Sequence, residues 1–240
     1  MSRQPTLTDD GFSLIEMAVV LVILGLILSS SLLPLSAQMD HHNTLETQKN
    51  LAEAREALLG FAMAHGYLPC PAKSASDGLE DRTGNTCTGG KRVGHLPWAE
   101  LGMAKLDGWG HLFRYSVTLA YADSGSKIVL SPLTNRDITI ESRDAAGNLQ
   151  NLSTAGGIPV AIVSMGKNGI WGYADDGSRV SDTSSTNTDE DSNGNGNGKV
   201  FMSRTPAENT TAPGGEFDDL VVWVSPGIYL NRMVAAGQLP

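Results

Sequence analysis

Three groups of residues in this 240-residue chain have types and spacings that could do chemistry. The first is Asp189-x-Asp191-x-Asn193-Gly194-Asn195, near the end of a polar stretch from Asp175 to Gly198. Oxygen side chains at alternate positions, followed by a glycine turn, are what a hard cation such as calcium needs. The pattern then breaks: the twelfth position from Asp189 is Val200, not a bidentate glutamate, and no flanking helix pair is evident. An EF-hand is therefore not expected. A looser calcium loop, completed by Asp218 or Asp219, stands beside a ligand-free mobile loop as the alternative reading. The second group is the cysteine pair Cys70 and Cys87 in a Gly/Ser/Thr-rich stretch. An even pair in such a setting suits a disulfide in an oxidising compartment. Its rivals are two free thiols and a zinc site with His65 and His95, but the short spacings of zinc motifs are missing. The third is a lone carboxylate, Glu16, at the edge of a long apolar run. A charge there is costly in lipid unless it is paired, which makes it a functional-site hypothesis.

No catalytic set accompanies these groups. Gly-x-Ser-x-Gly, His-Glu-x-x-His and the phosphate-binding Gly-x-x-x-x-Gly-Lys-Ser/Thr are all missing from the sequence, and an enzyme is not expected. The 17 Lys+Arg against 26 Asp+Glu give a net charge of −9. An acidic chain without local basic clusters repels phosphate backbones, so nucleic acid is not an expected partner.

Glu16 is positioned by the segment that follows it. No residue from Met17 to Met39 is charged, and Met17 to Leu28 is continuously apolar. At 1.5 Å per residue this run reaches about 35 Å as a helix, enough to cross a hydrocarbon core of about 30 Å. It is apolar on all sides, as a membrane span is. An ordinary secretory signal peptide cut near Ser36-Ala37 is the competing reading. It asks for a basic leading region, whereas Met1–Gly11 has one Arg and two Asp.

Gly11-Phe12-Ser13-Leu14-Ile15-Glu16, running directly into the apolar stretch, resembles the cleavage and methylation motif of type IV pilins and type II secretion pseudopilins. The resemblance implies cleavage after Gly11 by a prepilin peptidase and N-methylation of Phe12. It also implies that Glu16 pairs with the Phe12 amine of a neighbouring subunit during assembly. Such a pair satisfies two charges in an apolar bundle and acts as a register device. Asp107-Gly-Trp-Gly-His-Leu-Phe-Arg-Tyr115 is similar to the Asp-Pro-Trp-Gly…Tyr segment of pseudopilins, with Gly108 in the proline's place. The acidic stretch sits where some pseudopilins carry a calcium site. Pro34 lies one position after the family's usual helix proline and is expected to bend the helix.

The fold expected is α+β and pilin-like: a long N-terminal helix, membrane-spanning in its first half, packed on an antiparallel β-sheet. Residues 1–11 are the leader, 12–39 the transmembrane segment and 40–66 the periplasmic half of the helix. Residues 67–240 form a globular β-rich domain with an acidic loop at 175–198. Leu51, Ala54, Leu58, Phe61 or Ala62, and His65 recur at helical spacing, and Gly66 with Pro69 ends the helix. Two helices broken between Pro34 and Asn43 are the alternative. Strands are expected at Lys127–Leu130, Ile138–Ser142, Ile158–Ser164, Lys199–Ser203 and Leu220–Val224. Another starts near Leu112, with Phe113, Tyr115 and Val117 on one face. Ser225-Pro226 starts a last helix over Gly227 to Ala236.

The expected protein is thus a minor pseudopilin, a structural subunit of a type II secretion pseudopilus. It is anchored by one pass in the bacterial inner membrane with its domain in the periplasm. Its expected partners are the prepilin peptidase, other pilin-like subunits and an inner-membrane assembly platform. The alternatives are a minor pilin of a type IV pilus, serving adhesion, DNA uptake or motility, and a membrane-anchored periplasmic binding protein.

Overall fold

Ser13 starts the first helix by a reciprocal cap. Its hydroxyl accepts from the Glu16 N–H at 3.3 Å, and its own N–H donates to the Glu16 carboxylate at 2.8 Å. This capping box satisfies two donors that a helix start leaves open. The computed structural model describes residues 13–126, 136–153 and 155–239; the side chains of 28–34 lie outside this description. Helix α1 runs from Leu14 to His65 as one element, so a chain broken into two helices is not found. The bend expected at Pro34 and the strand expected at Lys127–Leu130 fall outside the described residues.

The chain divides into two compact units, Met1–His42 and Asn43–Pro240. In the first, the apolar residues are exposed around the helix, for example Leu14 at 89%, Ile15 at 72% and Leu21 at 65%. Among the described residues no helix is long and apolar enough to cross a membrane. The apolar run Met17–Ile27, whose side chains are described, covers about 16 Å at the helical rise, short of a bilayer core. The expected span over 12–39 needs the residues beyond it.

The second unit is layered. Its strands are β1 (Arg82–Thr83), β2 (Thr86–Cys87), β3 (Val93–His95), β4 (Arg114–Val117), β5 (Thr139–Arg143), β6 (Leu149–Asn151), β7 (Val160–Ser164), β8 (Val200–Met202) and β9 (Leu220–Val224). Its further helices are α2 (Trp98–Leu101), α3 (Thr188–Gly194) and α4 (Pro226–Ala235). The main sheet has the order β3-β4-β7-β9 and is antiparallel throughout. One face carries Phe113, Tyr115, Val117, Val160, Ile162 and Val224. It packs on Leu51, Ala54, Leu58 and Ala62 of α1 and on Tyr229 and Met233 of α4. Ala62 rather than Phe61 takes the buried position, and His65 stays exposed, stacked on Phe61. Gly66 ends α1 with φ +90 and donates its N–H to the Ala62 carbonyl at 2.7 Å.

The other face of the sheet is also covered. Ala161, Val163 and Met165 pack against Ile138, Ile140, Ile158 and Phe201. These come largely from a second sheet of order β6-β5-β8, in which β5 and β8 run parallel. The expectation of antiparallel pairing fails at that pair, because α3 and its flanking loops carry the chain back to the starting end of the sheet. Strand β7 is therefore buried on both faces, which explains why Val-Ala-Ile-Val-Ser shows no polar alternation.

The cysteine stretch is tied down in several ways. Cys70 and Cys87 form a disulfide, so neither thiol is free for zinc. Closing such a loop stabilises by about 3 kcal/mol in the chain-entropy model. Tyr115 donates its buried hydroxyl to the Pro69 carbonyl at 2.8 Å. The buried side chains of Leu96 and Pro97 hold the far end of the stretch.

The Asp107 turn fixes α1 to the sheet. Asp107 accepts the N–H groups of Trp109 and His111 at 2.9 and 2.8 Å and the Ser164 hydroxyl at 2.6 Å. The Gly108 N–H donates to Thr47, fully buried on α1, at 2.9 Å. A Cβ on Gly108 would lie 2.3 Å from the Asn43 carbonyl oxygen. A proline here would lose the bond and add the clash. Gly108→Pro is expected to destabilise by about 3 kcal/mol and Gly108→Ala, which keeps the N–H, by about half of that. Thermal unfolding of the two variants beside the parent checks the order.

Candidate functional site

Two places in the chain carry functional side chains, one in each unit. At the N-terminus, Gly11 and Phe12 lie outside the described residues. Glu16 sits in the first turn of α1, fully exposed and engaged by Ser13 of its own chain. A carboxylate in this position also meets the positive end of the helix dipole. Residues 8–32 match the family model described as the prokaryotic N-terminal methylation motif. The chain carries the prepilin signal of type IV pilins and pseudopilins. No curated protein and no solved structure matches the chain. The signal implies processing by a prepilin peptidase and assembly with other pilin-like subunits, and it supports a pilin-like or pseudopilin subunit.

The second place lies within the expected acidic loop, part of which is helical. Residues Thr188–Gly194 form α3, and three consecutive carboxylates on it go three different ways. Asp189, 2% exposed, binds Arg143 through both oxygens at 2.7 and 2.8 Å and Arg204 at 2.7 Å. Asp191 accepts the Trp171 indole N–H at 2.7 Å. Glu190, fully buried, meets Asp218 and Asp219, with one oxygen from each of the three lying within 4.8 Å of the others.

Of the six residues expected for calcium, Asp218 and Asp219 are brought together, with Asn193 beside them. Asn193 donates to Asp219 at 2.8 Å and to the Met202 carbonyl at 3.0 Å, and accepts the Met202 N–H at 2.7 Å. Asn195 instead accepts from Arg179 at 3.2 Å. Asp189, Asp191 and Asn195 are thus engaged elsewhere. Sequence reasoning passed over Glu190, the residue between the alternate positions. The three-residue spacing Asn187-x-x-Glu190-x-x-Asn193, one buried face of a helical turn, is the signal that could have found it.

The cluster is only partly satisfied by the protein. Glu190 accepts from the side chains of Asn168 and Asn187 and from the Asp218 N–H at 3.0 to 3.2 Å. Asp218 accepts the Asn168 N–H at 2.9 Å. One oxygen each on Asp218 and Asp219 is buried without a hydrogen-bond partner among the described residues. Gly166 allows the approach, since a Cβ there would lie 2.1 Å from Asp218 Oδ1. Three carboxylates, two of them with an unpartnered oxygen, are a donor set that fits a hard cation.

Burial, reinforced by Glu190, pushes the Asp218 carboxyl up to about 6. The same causes raise Asp219, 3% exposed, well above the ordinary range. The sign follows from linkage. An acid whose folded value exceeds its unfolded value of 3.8 favours folding while protonated, and that contribution fades as pH rises through about 6. At neutral pH the cost from Asp218 is at most about 3 kcal/mol. In chelator, the protein is expected to lose thermal stability between about pH 4 and pH 7. Asp218→Asn should be flatter over that window and more stable than the parent at pH 7, as read by melting curves in buffered EDTA.

Proposed function

We propose that this chain is a minor pseudopilin of a type II secretion pseudopilus. The methylation motif at residues 8–32 carries the reading, joined to a helix whose first half is apolar and exposed on all sides. In this reading a peptidase cuts after Gly11, Phe12 becomes the methylated N-terminus, and the uncharged segment through Met39 holds the subunit in the inner membrane. The membrane part rests on the sequence of residues 17–39, which carries no charge. Glu16 then exchanges its own cap for the amine of a neighbouring subunit. The Asp107–Tyr115 turn, which is similar to the pseudopilin segment, supports secretion over pilus function.

Mass spectrometry of the membrane-bound N-terminus, with and without the prepilin peptidase, tests this. N-methyl-Phe12 is expected in the first strain and an uncut leader in the second. A start near Gln38, or no difference between strains, would sink the proposal. Glu16→Ala should still be cleaved but should fail to cross-link with other pilin-like subunits. Loss of secretion in a deletion strain, with twitching and DNA uptake intact, separates the secretion filament from a pilus.

The same proposal includes calcium at Glu190, Asp218 and Asp219. A bound cation would reverse the electrostatics of the cluster, holding all three acids ionised at neutral pH. Its role is structural: it joins α3 to the segment entering β9. Calcium at a hundred times its dissociation constant is expected to stabilise by about 2.7 kcal/mol. The gain should be larger at pH 7 than at pH 5 and lost in Asp219→Asn. An equal calcium response in that variant would count against the site.

A further inference from the structure

A cleft of about 330 Å³ opens on the β3–β4 side of the second unit, and none of the acidic triad lines it, although Arg114 in its wall feels the charge of Asp219. Lys73, Lys91, His95 and Arg114 line it, together with Trp171 and Tyr173. No acidic side chain does. In a chain of net charge −9 this is a local reversal of sign.

The cations differ in how they are used. Lys73 and Lys91 each have a carboxylate nearby, Asp77 at 3.8 Å and Asp81 at 3.3 Å. Arg114 has none at ion-pair distance among the described residues. It donates once, to the Gly196 carbonyl at 2.7 Å, and its Nε is buried without an acceptor. Burial, with repulsion from Arg179, lowers its pKa to about 10 against the opposing pull of Tyr173 and Asp219. A planar guanidinium with free donors matches a carboxylate geometrically.

The opposite wall is aromatic and strained. Trp171 has φ +64, the one positive φ outside glycine among the described residues. Such a conformation in a bulky residue persists only when its surroundings hold it, and it clusters at ligand clamps. Here the indole is held by the Asp191 carboxylate at 2.7 Å and by Arg179, stacked 4.4 Å from the ring centre. Tyr173 stands edge-on to His95 at 4.7 Å. Two aromatic side chains and an arginine without an ion-pair partner thus line one cleft.

We propose that this cleft binds a carboxylate carried on an apolar or aromatic body, with Arg114 gripping the carboxylate and Trp171 and Tyr173 covering the body. Either a free organic acid or the C-terminal residue of a polypeptide offers that chemistry. The probes are N-acetylphenylalanine, its neutral amide, and a hexapeptide of five glycines ending in phenylalanine. Each is titrated into the full-length protein in detergent while the indole N–H resonances are followed. The acid should shift the Trp171 resonance saturably, and the amide should bind about tenfold more weakly or not at all. Tighter binding of the hexapeptide points to a polypeptide end, and equal binding to a free acid. Arg114→Gln should abolish the response. Because Arg114 lies in a core strand, the exposed Lys73→Glu serves as the second variant, expected to weaken binding severalfold at an unchanged melting temperature. No saturable shift with either carboxylate would overturn the proposal. Equal affinity for acid and amide, or unchanged binding in folded Arg114→Gln, would do so too.

Discussion

Strand β7 has no face to give to water, and the second unit is arranged around that constraint. Val160 and Ile162 need the α1 and α4 layer, while Ala161 and Val163 need the second sheet. Each of these larger side chains contributes roughly 1.5 to 3 kcal/mol by leaving water. The neighbours then have little freedom. Ser164 pairs with Leu220 at the end of the β7–β9 ladder. Continuing that register by two residues sets Gly166 opposite Asp218, where only a residue without a side chain leaves room for the carboxylate. The acidic cluster is therefore a consequence of strand register, and Ser164 at the same ladder end also anchors the Asp107 turn. One pairing places both the metal-binding candidate and the turn that bonds to Thr47 of α1.

The buried acids show what a charge inside a protein needs. Asp189 is as deeply buried as Asp219, yet it faces two arginines, one of them in bidentate geometry. Removing one partner of such a group commonly costs 3 to 5 kcal/mol, roughly, since the remaining charge is stranded. Among the described residues Glu190, Asp218 and Asp219 are hydrogen-bonded by amides and backbone N–H groups, with Arg114 acting on Asp219 without an ion-pair contact, and Asp218 and Asp219 shift toward the protonated form. The proposed calcium would supply to this triad what the arginines supply to Asp189. The two neighbours Asp189 and Glu190 on α3 thus belong to different electrostatic solutions, which a reading of the acidic stretch as one ligand loop merges.

Features set by local sequence were legible. The face of α1 at Leu51, Ala54 and Leu58, the Gly66 stop and the Ser225 cap depend on residues a few positions apart. Strand β9 was expected over Leu220–Val224, its observed span. Features set by distant partners were not legible. α3 forms in a segment rich in Asn, Gly and Asp, residues poor in helix propensity, and its buried side is fixed by Arg143, Arg204, Asn168 and Asp219. The parallel pairing of β5 with β8 likewise has no local signature. Short strands such as β3 and β6 exist only through their neighbours. The acidic residues were found by composition, but which of them converge is a tertiary fact.

The N-terminal unit poses the opposite problem: its described apolar residues from Leu14 to Ile27 are exposed. In the proposed membrane anchor, lipid would remove the cost of that exposure for the side chains but would do nothing for Glu16. The capping box is the least expensive holding position, because Ser13 offers an N–H and a hydroxyl without any partner subunit. Such a cap is worth about 1 kcal/mol. In the proposed assembly an amine brought by a second subunit would offer a full charge instead, a pair of ions in place of an ion held by a neutral N–H. The cap is therefore weak enough to be exchanged and strong enough to keep the carboxylate from being stranded beforehand. A helix built this way is stable while waiting and favours a neighbour only when that neighbour's amine arrives in register.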